Sequence, residues 1–143
     1  MARALLEANV LISGAIHPSG PPGQIILALV ARGAFDVALS PRIIAEVEVA
    51  LRLPKIRKYL REPAEAVLWL ADIAALADLV EDTGRAKGVS RDPADDVVLS
   101  AAVEGRADVI VTGDADLLAL KQYEAIRIVT PREFLQSIKG ENS

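Results

Sequence analysis

An α/β fold with a parallel sheet covered on both faces by helices is what this sequence predicts, and three observations carry the prediction. Short apolar, β-branched runs alternate with segments of helical spacing along the chain. Ala, Val, Leu and Ile supply nearly all of a 52% hydrophobic fraction while aromatic residues make up 3%, a balance suited to helices on a Val/Ile/Leu-rich sheet rather than to an aromatic-cored β-sandwich. Three helix starts are written as a capping residue followed by proline: Ser40-Pro41, Asp92-Pro93 and Thr130-Pro131. At 143 residues the chain falls within the usual size of one domain, expected over residues 1–138 with 139–143 as a polar tail.

In chain order, Arg3 to Leu6 reads as a short buried strand ending at the polar cluster Glu7-Ala8-Asn9, after which Val10-Leu11-Ile12 runs into Ser13-Gly14. Pro18 to Gly23 reads as a loop. Ile25 to Arg32 follows as a helix stopped by Gly33, then Phe35 to Leu39 as a strand. From Ser40-Pro41 a helix carries Ile43, Ile44, Val47, Ala50 and Leu51 on one face until Pro54. A short basic helix or turn spans Lys55 to Leu60, a longer helix runs from Pro63 to about Ala77, and Leu79-Val80-Glu81 is a brief strand or extended segment.

Gly84 to Gly88 reads as a surface loop, and Asp92-Pro93 opens a helix that reaches Glu104 before Gly105. Asp108 to Thr112 is the clearest strand and ends in Gly113-Asp114-Ala115-Asp116. Leu117 to Leu120 makes a short helix, Ile126 to Val129 a last strand, and Thr130-Pro131-Arg132-Glu133 the capped start of a helix through Ile138.

The inventory narrows the chemistry. There is no cysteine, which excludes disulfides, thiolate catalysis and Cys-based zinc sites, and the single histidine, His17, argues against a histidine triad or a His-rich metal site. No apolar stretch reaches the roughly 18 residues of a membrane span, and Met1-Ala2-Arg3 shows no signal-peptide pattern, so a cytoplasmic protein without membrane contact is expected. Any catalyst here works mainly with carboxylates.

In open parallel sheets, sites form at the carboxyl ends of strands. Glu7 closes the first strand, Asp114 follows the strand that ends at Thr112, and Asp95 and Asp96 lie in the first turn of the helix preceding that strand. Carboxylates gathered this way repel by several kcal/mol per close pair at an effective dielectric near 20. A divalent cation with a taste for oxygen, Mg²⁺ or Mn²⁺, relieves that repulsion and can activate water toward a phosphodiester. A second reading is open for each acid: Asp95 and Asp96 also suit the dipole at a helix N-terminus, and Asp114 also suits a cap of the short helix at Leu117. Glu46 and Glu48 both flank the apolar stripe of their helix, so periodicity does not choose between them.

The net charge of −4 conceals an uneven distribution: Arg52, Lys55, Arg57, Lys58 and Arg61 follow one another with no acid among them. Two readings stand side by side, a solvated helix face and a phosphate-contacting surface.

Four ordered motifs, Leu5 to Ser13, Ser40-Pro41 with Glu46, Arg91-Asp92-Pro93-Ala94-Asp95-Asp96, and Val111 to Leu118, together resemble a PIN domain of the branch known as toxins of toxin–antitoxin modules. The resemblance extends from Ala4 to Phe134. It implies an α/β/α sandwich with a parallel sheet of four or five strands and a Mg²⁺- or Mn²⁺-dependent endoribonuclease site. It also implies RNA as substrate, an antitoxin protein as partner and a homodimer. By position it assigns the catalytic acids to Glu7, Glu46, Asp96 and Asp114, with Glu7, Asp96 and Asp114 on the metal. Asp95 and Asp116 become auxiliaries, and Asn9 and Thr112 supporting polar residues. The family pattern begins Asp-Thr-Asn where this chain has Glu7-Ala8-Asn9, an arm one methylene longer, so an intact fold, metal binding and weakened cleavage are expected. The alternative from a different class is a catalytically impaired PIN-fold module that binds RNA or protein.

Overall fold

The apolar run Ala4-Leu5-Leu6 lies at the centre of a sheet in the computed structural model of the chain, which describes residues 2–81, 84 and 86–141. Met1, Arg85 of the expected surface loop, and the last two residues of the expected tail lie outside the described residues. Strand β1 (Arg3–Leu6) pairs in parallel with β2 (Asp36–Leu39) on one side and β4 (Val109–Val111) on the other. β3 (Asp78–Leu79) extends the sheet beyond β2, and β6 (Ile126–Val129) extends it beyond β4, both in parallel. β5 (Gln122–Tyr123) runs antiparallel along the outer edge of β6, so the order is β3-β2-β1-β4-β6-β5. A central strand buried on both faces has no polar side to show, which is why β1 and β4 read as unbroken apolar runs.

From β1 the chain passes through α1 (Ala8–Ile16) and α2 (Pro21–Arg32) to β2, then through α3 (Pro41–Arg52), α4 (Pro54–Arg57) and α5 (Pro63–Leu76) to β3. Helix α6 (Pro93–Glu104) carries it back across the sheet to β4, α7 (Ala115–Leu120) leads toward the β5–β6 edge, and α8 (Pro131–Glu141) follows β6. Parallel crossovers are right-handed, so reversing the direction of travel puts α6 on the opposite face from α1 to α5. The reversal makes the gap between the ends of β1 and β4 a topological switch point, where such sheets bind ligands.

The predicted caps are made. Ser40 Oγ accepts from Ile43 N–H at 3.1 Å, Asp92 Oδ1 accepts from Ala94 N–H at 2.9 Å, and Thr130 and Glu133 exchange two bonds of 3.1 Å as a capping box. The core joins Leu5, Leu6 and Ile110 of the sheet to Leu11, Ile25, Leu99 and Leu117 of the helices, all fully buried. Phe35 and Phe134 meet edge to face, with ring centroids 4.9 Å apart.

Three expectations change and one helix is added. The sheet has six strands among the described residues rather than four or five, and β5, one of the strands that complete it, is too short to carry a periodic signal. Val10-Leu11-Ile12, an apolar run to which the sequence assigns no element, belongs to α1; the helix is capped by Glu7, a residue outside the usual capping set. The expected 18–23 loop is shorter, because Pro21 and Pro22 occupy the first turn of α2, where a missing N–H costs nothing. Helix α8 runs on to Glu141, three residues past the expected end.

Gly23 marks the tightest approach between chain segments. A Cβ there would lie 2.1 Å from the carbonyl oxygen of Pro18, with backbone rather than a flexible side chain as the obstacle. Gly23→Ala is therefore expected to cost about 1–3 kcal/mol as an overpacking change, read as a lower midpoint in urea at unchanged slope.

Candidate metal centre

Polar side chains stitch the two strand ends together at the switch point. Glu7 N–H donates to Val111 O at 3.1 Å, while the Glu7 carboxylate caps α1 by accepting from Asn9 N–H at 2.8 Å. Asn9 Oδ1 in turn accepts from Gly113 N–H at 3.2 Å, tying the start of α1 to the loop after β4. Thr112 is fully buried, and its hydroxyl oxygen accepts from Asp114 N–H at 3.0 Å. Asp114 then caps α7 by accepting from Leu117 N–H at 3.0 Å. Asp114 is thus the cap of α7, placed where the chain leaves β4.

One carboxylate oxygen from each of Asp95, Asp114 and Asp116 lies within 4.8 Å of the others. Asp95 is buried in the first turn of α6, where it accepts from the Ser90 hydroxyl at 2.9 Å. Asp116 accepts from Arg91 Nη2 at 2.7 Å. The neighbouring Asp96 faces elsewhere: its Oδ2 accepts from Gly88 N–H at 2.8 Å and its Oδ1 from Ser90 N–H at 2.9 Å. Successive helical residues point about 100° apart, so one of the two acids reaches the strand ends while the other secures the loop that leads into the helix. Ser100 anchors the same loop by accepting from Ala86 N–H and donating to Asp96 O, each at 2.9 Å.

The electrostatics tie Glu7 and Glu46 to this group. Burial holds the Glu7 carboxyl above its ordinary pKa; the Asn9 hydrogen bond opposes the shift, and the charges of Glu46, Asp114 and Asp95 add to it. Burial likewise raises Asp95, against the Ser90 hydrogen bond and with the charges of Asp114, Asp92 and Asp116. The structure therefore gathers Glu7, Glu46, Asp95, Asp114 and Asp116 around the switch point, with Asp96 turned to the loop. Glu48 pairs with Arg52 at 2.8 Å, and Glu46 is the acid of α3 whose charge acts on Glu7.

Arg52, Lys55, Arg57, Lys58 and Arg61 are all exposed from the end of α3 to the start of α5, and Lys58 Nζ stands 5.1 Å from the centre of the Tyr59 ring. Ser90, Arg91 and Ser100 complete the surroundings of the acids; in the sequence Arg91 is named only as the first residue of the third motif, without a role, and Ser90 and Ser100 are not named. Arg91 is 25 residues from its partner Asp116, and no local pattern announces such a pair.

The donor set suits a hard divalent cation. Three carboxylate oxygens within 4.8 Å of one another can converge on Mg²⁺ or Mn²⁺ by side-chain rotation, since oxygens about an octahedral ion lie about 2.9 Å apart when adjacent and about 4.2 Å apart when opposite. Burial first and neighbouring charge second raise the pKa of Glu7 and Asp95, and a bound cation would offset both by favouring the ionised carboxylates.

Comparison with known proteins agrees with this architecture. The profile of the PIN domain matches residues 3–116. Uncharacterized protein MJ1680 of Methanocaldococcus jannaschii is 28% identical over 145 residues, spanning 96% of this chain and 92% of that protein. Among solved structures, PAE2754 from Pyrobaculum aerophilum has a TM-score of 0.66 at 19% identity, covering 97% of this chain and 90% of its own. VapBC2 from Rickettsia felis, solved bound to a DNA fragment from their promoter, has a TM-score of 0.58 at 13% identity, covering 90% of this chain and 98% of its own. At these identities the two solved structures share the fold with this chain.

Proposed function

Since the chain belongs to the PIN domain family, we propose that it is a metal-dependent endoribonuclease acting as the toxin of a toxin–antitoxin module. The observation that carries the proposal is the convergence of Asp95, Asp114 and Asp116 at the switch point, beside Glu7. In this reading those three aspartates hold Mg²⁺ or Mn²⁺. The ion supplies Lewis-acid stabilisation of phosphodiester charge and a more acidic water. Glu7, whose pKa is raised by burial and by neighbouring acids, accepts the proton of the attacking water on its carboxylate. Glu46 adds negative charge on the α3 side of the pocket. Asn9 ties the two strand-end loops together, and Thr112 fixes the turn that carries Asp114. Asp96 acts through the loop it anchors rather than as a ligand.

RNA is cut in an assay with an unstructured oligonucleotide and Mn²⁺, and left intact when EDTA replaces the metal, if this reading holds. Intact RNA under every condition favours the second reading, a PIN-fold binding module, for which the specific observation is that Glu7 replaces the family's Asp and already serves as the cap of α1.

The exposed basic run is placed here as a guide for the RNA backbone. Reversing Lys55, Arg57 and Lys58 to Glu is expected to weaken RNA binding and to flatten its log–log salt dependence by roughly 0.7 per lost contact, with little change in melting temperature. An unchanged slope assigns these residues to a solvated face.

Three features support a protein partner of the antitoxin kind. A groove of about 560 Å³ between α2 and α5 is lined by Leu27, Val30, Leu68 and Trp69. Leu27 and Leu68 are 66% and 65% exposed in the isolated chain, an apolar surface suited to covering by a second chain, whether an antitoxin or a further copy. The fold is also that of VapBC2, which was solved on promoter DNA. Among the described residues, no helix is long and apolar enough to cross a membrane.

A further inference from the structure

A cation already stands at the rim of the acidic group. Arg91 Nη2 donates to Asp116 Oδ1 at 2.7 Å, so one of the three convergent carboxylates has an internal counter-ion. The arrangement is built rather than incidental. The backbone on the N-terminal side of Arg91 is held by Asp96 through Gly88 and Ser90, and Asp92 on the other side caps α6 through Ala94. The guanidinium is thus delivered to the rim by an anchored segment, while its side chain stays 87% exposed and able to swing.

A pair this exposed adds little to folding stability, so stability does not account for it. Its consequence is for charge. Arg91 and a divalent ion draw on the same Asp116 carboxylate, and each repels the other. Once displaced, a planar guanidinium beside the site matches the geometry of a phosphodiester, which it can grip with two hydrogen bonds. We infer that Arg91 exchanges partners, neutralising Asp116 while no divalent ion is held and gripping the RNA phosphate once the ion has taken Asp116. The inference rests on the metal reading above and adds to it a residue that couples metal loading to substrate positioning.

The test is Mn²⁺ calorimetry on the full chain and on Arg91→Gln, Asp116→Asn and the double variant. Arg91→Gln is expected to bind Mn²⁺ about 3- to 10-fold more tightly, and that gain is expected to vanish in the Asp116→Asn background, as for two residues that interact directly. A second readout is the salt dependence of binding to single-stranded phosphorothioate RNA, chosen to slow cleavage. With Mn²⁺ the slope for Arg91→Gln is expected to fall by about 0.7, the loss of one phosphate contact; without Mn²⁺ it is expected to match the parent. Equal Mn²⁺ affinity in Arg91→Gln, or a gain that survives Asp116→Asn, overturns the exchange while leaving the metal site standing. If the parent chain binds no Mn²⁺, the metal reading falls and the exchange falls with it.

Discussion

Asp114→Asn is expected to lower metal-dependent RNA cleavage by at least tenfold, about 1.4 kcal/mol of barrier, while leaving the fold in place. The amide oxygen of Asn can still accept from Leu117 N–H and cap α7, so the bond that Asp114 makes at 3.0 Å survives the change. What is lost is a negative charge in a group of three carboxylates, and a cation binds that charge more than it binds the shape. The informative partner is Glu7→Asp, which restores the shorter arm of the family pattern and is expected to raise cleavage. A binding module leaves both variants as inert as the parent, and a site adapted to Glu7 makes Glu7→Asp slower. Initial rates for the three proteins on one unstructured RNA separate these outcomes.

Mn²⁺ is expected to raise the melting temperature by roughly 5 to 10 °C at a hundredfold excess over Kd, from a linkage of about 2.7 kcal/mol. The size of the shift follows from the excess of metal over Kd, and its pH dependence has a definite sign. Glu7 and Asp95 both have folded-state pKa values above their ordinary ones. The stability they contribute is therefore fully present below the ordinary carboxylate range, roughly pH 4, and is lost as pH rises through the raised values. At neutral pH the metal-free fold bears the cost of burying these charges and of their mutual repulsion. Protons compete with the cation as pH falls, so the Mn²⁺ shift is expected to be larger at pH 7.5 than at pH 5. Glu7→Gln is expected to mimic part of the metal's effect, raising the metal-free melting temperature by a few degrees at pH 7.5. Thermal scans at the two pH values, with Mn²⁺ and with EDTA, check all three statements.

Much of the fold could be read from residues whose physics is local. Ser40-Pro41, Asp92-Pro93 and the Thr130–Glu133 capping box state their helix starts in a few letters, and the structure makes those bonds. Helix α1 was hidden because Glu7 is an unusual cap and because Val10-Leu11-Ile12, once a helix, is still an apolar run. Strand β5 exists only through its pairing with β6, a long-range fact that two residues cannot signal.

At the site, the set of acids was legible and their roles were less so. Adjacent positions 95 and 96 offer identical side chains in one helical turn, and which of them meets Asp114 depends on the 86–91 segment. The backbone N–H groups of Gly88 and Ser90 require acceptors, and Asp96 supplies both. Arg91 stands in the third sequence motif, but its pairing with Asp116 is not legible there because the partner lies on another element.

The central claim is that Asp95, Asp114 and Asp116 share one divalent ion. Calorimetric titration of Mn²⁺ into the parent chain, Asp95→Asn, Asp114→Asn and the remote control Asp72→Asn tests it most directly. The account expects saturable binding in the parent and in Asp72→Asn, weakened at least tenfold in Asp95→Asn and Asp114→Asn. Binding that is absent from the parent, or equally strong in all four proteins, contradicts it.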